Sequence, residues 1–274
     1  WLDLVRYAET DGFNQDAHRE NAYRYRDYVI RAFDEDLPYD RFIAQQLAGD
    51  ELEPHNPLAL VATGLNRLYP DEYNAADLRL RRQEILDDIT DTTGLVFLGL
   101  TMGCAQCHDH KFDEILQADY FRLQAFFQPM LPRDDLVVAT PAELEAHRQQ
   151  QARWEEATRS VRAEIEALLD KPRQKILLGT IDKYDEEIRQ AILTPDAERT
   201  SYQKQLVYQA RKYYEPKLEG LEKQLKGEER ARYDALLKEL ASFDHLRPAP
   251  LPRAMGITDA GPDAPPTFRL ATGN

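Results

Sequence analysis

Cysteine is nearly absent from this chain: 274 residues hold two, Cys104 and Cys107. A disulfide-stapled scaffold is therefore excluded, because such scaffolds need several pairs. Long apolar runs are missing too. No stretch of about eighteen apolar residues occurs, which leaves no membrane span. Positive charge is in deficit, with 35 Lys and Arg against 49 Asp and Glu, a net charge of −14. A nucleic-acid backbone is thus a poor partner, since phosphate binding needs a basic surface. There is no internal repeat, no low-complexity tract, no Walker-type phosphate loop and no Ser-His-Asp constellation. The chain opens at Trp1 with no charged-then-apolar leader segment, and it reads as a piece of a longer polypeptide.

What is present points to helices. Charged residues make up 31%, above the usual quarter, which suits long solvated helices. Leu2, Val5, Tyr7 and Ala8 open one helical stretch, broken at Asp11-Gly12. Tyr25, Tyr28, Val29 and Ala32 recur at helical spacing. Phe42, Ile43, Leu47 and Ala48 form the face of a third helix that starts near Pro38 and ends at Gly49. A long amphipathic helix is predicted over 78–100, with Ile85, Ile89, Leu95, Val96 and Leu98 inward and Gly103 closing it. Another covers about 117–127. From about Pro141 to His245 the composition shifts to Glu, Lys, Arg, Gln, Leu and Ala, with Pro172, Pro195 and Pro216 dividing it. The expected fold is mostly α: a compact helical haem-binding domain at 1–135, a helical hairpin or coiled-coil-like bundle at 136–245, and an extended linker at 246–274 leading toward a downstream domain.

The chemistry concentrates at Gly103-Cys-Ala-Gln-Cys-His-Asp-His-Lys-Phe-Asp113. Within it, Cys104-x-x-Cys107-His108 is the attachment pattern of a c-type haem. Two thiols on a short spacer can each form a thioether with one porphyrin vinyl group. The adjacent His108 then places an imidazole nitrogen on the iron as proximal ligand. One covalent haem c is the expected cofactor. Two other uses of the pair stay open: a plain disulfide or free dithiol, and a zinc site drawing on His110, for which the four ligands lie close in sequence. Distal-ligand candidates are Met130, His55 and His110. Met130 sits in a Pro-Met-Leu-Pro loop after an aromatic helix. His55 lies between two prolines, and His110 is very near the proximal ligand. Arg6, Arg24, Arg26, Arg67 and Lys111 are candidate propionate partners. Tyr7, Tyr25, Tyr28, Tyr120, Phe126 and Phe127 are candidate pocket walls. Asp87, Asp88 and Asp91 read as a solvated helix face.

Several stretches carry a family likeness: Trp1 to Phe13, Tyr25 to Phe33, Leu37 to Phe42, Gln46 to Asp50, Ala62 to Arg67, Leu98 to Asp113 and Asp119 to Phe127. Together they resemble the DUF1549 domain, a cytochrome-associated domain of large secreted planctomycete-type proteins. In that family a DUF1553 domain usually follows, and a separate cytochrome c domain often precedes. The resemblance covers about residues 1–130, and Met130 lies outside the family pattern. It implies an extracytoplasmic (periplasmic or secreted) location and a larger assembly, with a redox protein or further domains and subunits as partners. The family brings no settled activity. The leading functional expectation is thus a cytochrome c-type module relaying electrons, a carrier rather than a catalyst. The alternatives are an open-site, peroxidase-like haem enzyme and a haem-free scaffold with a Cys104–Cys107 disulfide.

Overall fold

The structure, a computed structural model, describes residues 1–13, 16–72, 74, 75, 77–263 and 265. The chain is mostly α, as expected, with one two-stranded sheet. It divides into two compact units. The first holds residues 1–138, 190–210 and the described residues from 253 onward; the second holds 139–189 and 211–252.

In the first unit, Trp1 to Arg6 form turns rather than the expected helix. Arg6 sits at φ 57, a left-handed conformation that an α-helix does not accept. Helix α1 (Ala22–Asp34) buries Ala22, Tyr25, Tyr28, Val29 and Ala32, one face at helical spacing. Helix α2 (Tyr39–Leu52) buries Phe42, Gln45, Gln46 and Gly49. Its two buried glutamines accept hydrogen bonds from Tyr28 Oη at 3.0 Å and Tyr25 Oη at 2.6 Å, so polar groups are satisfied inside an aromatic core. Gly49 has a packing reason: an added Cβ would lie 2.3 Å from the Ala59 carbonyl oxygen, where helix α3 (Pro57–Ala62) passes. Asn56 caps α3 by accepting from Leu58 N at 3.1 Å, and Pro57 takes the first turn. A 3-10 turn, Thr63–Arg67, follows.

Helix α4 (Leu78–Thr93) starts on the Asp77 cap and gives way to a π-turn, Gly94–Leu98. The expected helix to residue 100 stops early because Gly99 turns left-handed at φ 67. Leu95 and Leu98, expected inward, are exposed in consequence. Helix α5 (Gln117–Ala125) leads into strand β1 (Met130–Val137). The second unit contains α6 (Pro141–Ile181), a 41-residue helix opened by a Thr140/Glu143 capping box. It runs through Pro172, which sequence reading takes as a divider; Pro172 lacks an N–H, so the bond to the Leu168 carbonyl is lost while the helix continues. Helix α7 (Glu186–Leu193) and helix α8 (Ser201–Tyr214) follow. Helix α9 (Gly227–Ala241) lies against α6, joined by an Arg232–Glu164 ion pair.

Two segments come back to the first unit, contrary to the expected boundaries. Strand β2 (Arg253–Asp259) pairs antiparallel with β1, Met130 facing Asp259 and Val137 facing Arg253, with an irregularity between Arg133 and Leu136. Sequence reading makes this stretch an extended linker; residues 264 and 266–274 of that linker lie outside the described residues. Strand β2 rests on the 3-10 turn, where Ile257 N donates to Thr63 Oγ1 at 3.1 Å. Residues 190–210 bring in the second returning element, the first part of α8.

That element completes a buried charge network. Arg67 is fully buried. Its guanidinium contacts Asp134 at 3.0 Å, Asp71 at 3.2 Å, Asp11 at 3.4 Å and Tyr208 Oη at 3.1 Å. Arg19 pairs with Asp11 at 2.8 Å, and Arg81 pairs with Asp71. Arg82 donates to Gln205 and Gln128. Burial opposes charge on Arg67, yet Tyr208, Tyr69, Asp134 and Asp71 outweigh it and hold the guanidinium charged. Removing one member of such a set strands the others. An Arg67→Ala variant is expected to lose about 3–5 kcal/mol of unfolding free energy, read from urea denaturation. A loss below about 1 kcal/mol, the range of exposed pairs, would contradict the network's role.

Candidate functional site

The cysteine segment is a surface turn fixed from below. Met102–Gln106 form a 3-10 turn, and Cys107 follows at its end. In a 3-10 helix, side chains three positions apart eclipse one another. Cys104 and Cys107 therefore share one side of the turn, and both thiols are free and exposed. Met102 anchors the turn. It is buried beside Ala105, Tyr120 and Phe121, and it packs so tightly on Gly94 that a Cβ there would lie 2.3 Å from Met102 Cγ.

Asp87 holds the turn from α4. One carboxylate oxygen accepts from Gln106 Nε2 at 2.6 Å. The other accepts from Gln83 Nε2 and Gln124 Nε2, each at 2.8 Å, and from Tyr120 Oη at 3.3 Å. Gln117, buried on α5, donates its Nε2 to the Gln106 carbonyl at 3.0 Å and its backbone N to Asp109 Oδ1 at 2.9 Å. Asp91 abuts the turn as well: a Cβ on Gly103 would lie 2.7 Å from its Oδ2. Burial raises the Asp91 carboxyl to about 6, with Asp87 and Asp88 adding to the rise and Tyr120 and Arg6 opposing it. The acidic face that reads as solvated is thus the support of the cysteine turn.

The histidines have separate tasks. His110 accepts from the backbone N of Asp113 at 2.9 Å and of Phe112 at 3.3 Å through Nδ1. The same Nδ1 lies 3.2 Å from Asp113 Oδ2, and Nε2 lies 3.2 Å from Thr101 Oγ1. With both nitrogens engaged, His110 shapes the loop. His108 is exposed, and its Nδ1 lies 2.7 Å from the Asp109 carbonyl oxygen. A carbonyl only accepts, so Nδ1 is the nitrogen that carries a hydrogen in this contact. His55 is exposed in the turn between α2 and α3. Met130 is buried in a cluster with Tyr69, Ile85, Leu86, Ile89, Phe127 and Ile257.

The side chains expected around a porphyrin do not converge. Tyr25 and Tyr28 belong to the core cluster of α1 and α2, with Tyr7 against it. Tyr120 belongs to the Met102 cluster and Phe127 to the Met130 cluster, while Phe126 is exposed. Among the propionate candidates, Arg6 pairs with Asp88, Arg26 with Glu9 and Asp27, and Arg67 with its buried aspartates. Arg24 lies over the Tyr23 ring and Lys111 over the Phe112 ring.

Residues 1–131 match the family model PSCyt2, described as a protein of unknown function (DUF1549). No curated protein and no solved structure matches the chain. These findings overturn the expected electron-relay cytochrome, and with it the peroxidase-like alternative. The matching family is one of unknown function with nothing that indicates a cytochrome, and among the described residues no group of three or more His, Cys, Asp or Glu is gathered to hold a metal. The physical reason is visible in the turn: its thiols and His108 face solvent, and the expected pocket aromatics other than the exposed Phe126 pack into three separate cores. No helix among the described residues is long and apolar enough to cross a membrane.

The raised Asp91 carboxyl has a measurable consequence. Its unfolded value is 3.8 and its folded value about 6, so the native state binds the proton more tightly. Its contribution is present below about pH 4 and is lost as pH rises through about 6. Asp50, raised by burial to about 6, leaves a second slope in the same window. An Asp91→Asn variant is expected to flatten part of the decline in unfolding free energy between about pH 4 and pH 7. An unchanged slope in urea titrations would exclude the burial of Asp91.

Proposed function

We propose that the DUF1549 domain formed by residues 1–131 is a dithiol module that exchanges disulfides with a partner. The observation that carries this reading is the pair Cys104 and Cys107, free, exposed and three positions apart on one 3-10 turn. Eclipsed positions in such a turn suit the ~4.4–6.8 Å Cα separation of a disulfide, so ring closure requires little backbone movement.

The chemistry is a two-step exchange. One thiolate attacks a disulfide sulfur of the partner, forming a mixed disulfide and releasing one partner thiol. The second cysteine thiolate then attacks the mixed disulfide, closing the Cys104–Cys107 bond and releasing the other partner thiol. Two electrons pass from the module to the partner, and the reverse reaction re-reduces the module. His108, adjacent to Cys107 in sequence, is the exposed imidazole of the segment, and in its neutral form it can take a proton from a thiol. Exposed apolar side chains on the same segment, Leu98, Phe112 (84% exposed) and Leu116, give a partner something to bury. The anchoring by Asp87 and Gln117 keeps the turn in place while the thiols react. An extracytoplasmic setting, with other domains or subunits of a larger assembly as partners, is the environment in which such a pair cycles.

Equilibration of the full chain in glutathione redox buffers tests this. The wild type is expected to interconvert between dithiol and internal disulfide, seen as loss of one hydrogen pair by intact mass. C104S and C107S are each expected to stop at a glutathione adduct. Thiols that stay unreactive across the buffer range, or a porphyrin found covalently on the natively matured cysteines, would overturn the proposal.

A further inference from the structure

The two residues between the thiols are held from beneath, while the thiols themselves stay free and exposed. Ala105 has no exposed surface and packs with Met102, Tyr120 and Phe121. Gln106 is tied at both ends. Its side chain donates from Nε2 to Asp87 Oδ2 on α4 at 2.6 Å, and its carbonyl accepts from Gln117 Nε2 on α5 at 3.0 Å. Both ties lead to fixed groups. The other oxygen of Asp87 accepts from Gln83, Gln124 and Tyr120. Gln117 is buried, and its backbone N donates to Asp109 Oδ1 at 2.9 Å. One residue of α5 therefore holds the chain on either side of Cys107.

These contacts act on the step that a dithiol finds hardest. A disulfide tolerates a narrow range of Cα separation and Cβ direction. A free segment reaches that range only by giving up backbone freedom, at about 1–2 kcal/mol per residue fixed. In this turn the ordering precedes the reaction. Gln106 sits between the cysteines and cannot leave its place without breaking one of its ties. The placement that the ties hold is the 3-10 one, in which positions 104 and 107 eclipse. Holding two reacting groups in such a placement raises the effective concentration of one against the other.

We infer that Gln106 is a positioning residue that shifts the Cys104–Cys107 couple toward its disulfide, with Asp87 and Gln117 as its two fixed partners. The inference rests on the dithiol reading above and adds a direction to it: the reduced module is a stronger reductant of its partner than an unanchored pair of thiols would be. In that reaction the two module thiols become one S–S bond and the partner disulfide becomes two thiols. Two electrons and two protons pass from module to partner.

Equilibration of the full chain with reduced and oxidised glutathione tests this, with the constant for ring closure read by intact mass after acid quenching. Q106A is expected to lower that constant by about three- to tenfold. Q117A, which removes the tie to the carbonyl, is expected to lower it in the same direction. Each substitution is also placed in C104S and in C107S, where a glutathione adduct forms and no ring can close. There the adduct equilibrium is expected to stay within about twofold of its parent. A closure constant within about twofold of the wild type, in either variant that keeps its helical circular dichroism, overturns the positioning role. An equal fall in the single-thiol adducts also overturns it, because the effect then lies in the surroundings of each thiol and not in their spacing. A wild type that closes no ring at any buffer ratio sinks the dithiol reading itself, and this inference with it.

Discussion

A guanidinium with no access to water constrains the first unit more than any other group. Isolated, the Arg67 charge would cost many kcal/mol. It survives because Asp11, Asp71, Asp134 and Tyr208 come to it from four separate stretches of chain. Those stretches must therefore be in place together: the N-terminal loop, the segment before α4, strand β1 and helix α8. Buried ion sets of this kind add little net stability over apolar packing, and their better-attested role is to select one arrangement over its competitors. Two of the four partners, Asp134 and Tyr208, lie beyond residue 131, where the family match ends. The compact body is larger than the matched stretch, and a fragment cut at residue 131 would leave Arg67 with part of its countercharge missing.

The cysteine turn depends on the same economy of buried polar groups. Asp87 carries the load of four donors from α4, α5 and the turn, so the backbone bearing Cys104 cannot drift independently of those helices. Met102 wedges against Gly94 from the other side. The arrangement fixes a small convex feature with its thiols outward. A porphyrin held by thioethers wants a slot lined with apolar walls. Here the walls are already packed against one another, and what the turn presents is reactive sulfur on a firm base.

Much of the local structure was legible in the residues. The 25, 28, 29, 32 spacing gives α1, and the thiol pair stands out for want of any other cysteine. What could not be read was pairing over long separations. Nothing local in Arg253 to Asp259 says that Met130 to Val137 will face it, and the Pro-rich flanks suggest a linker. Tyr208, Gln205 and Gln209 look like polar helix positions until Arg67, Arg81 and Arg82 are seen beneath them. Asp87 and Asp91 fail for a related reason. Neighbouring acids on a helix resemble a solvated face, and only the remote Gln106, Gln124 and Gly103 turn them inward. Leu95 and Leu98 fail the other way, since a left-handed Gly99 ends the periodicity on which their inward placement rested.

Charge pairing follows one rule through most of the described residues. In an acid-rich chain the default fate of a cation is a carboxylate, and the arginines of the first unit illustrate it: Arg6, Arg19, Arg26, Arg67 and Arg81 all have acidic partners. A cation set that departs from this default requires a cause. For Arg82 the cause is plain, because Gln205 and Gln128 satisfy its donors in a buried place. Lys183 and Lys217 lie over the Tyr213 ring, and Lys217 also donates to its phenol, so an aromatic side chain takes the carboxylate's place there.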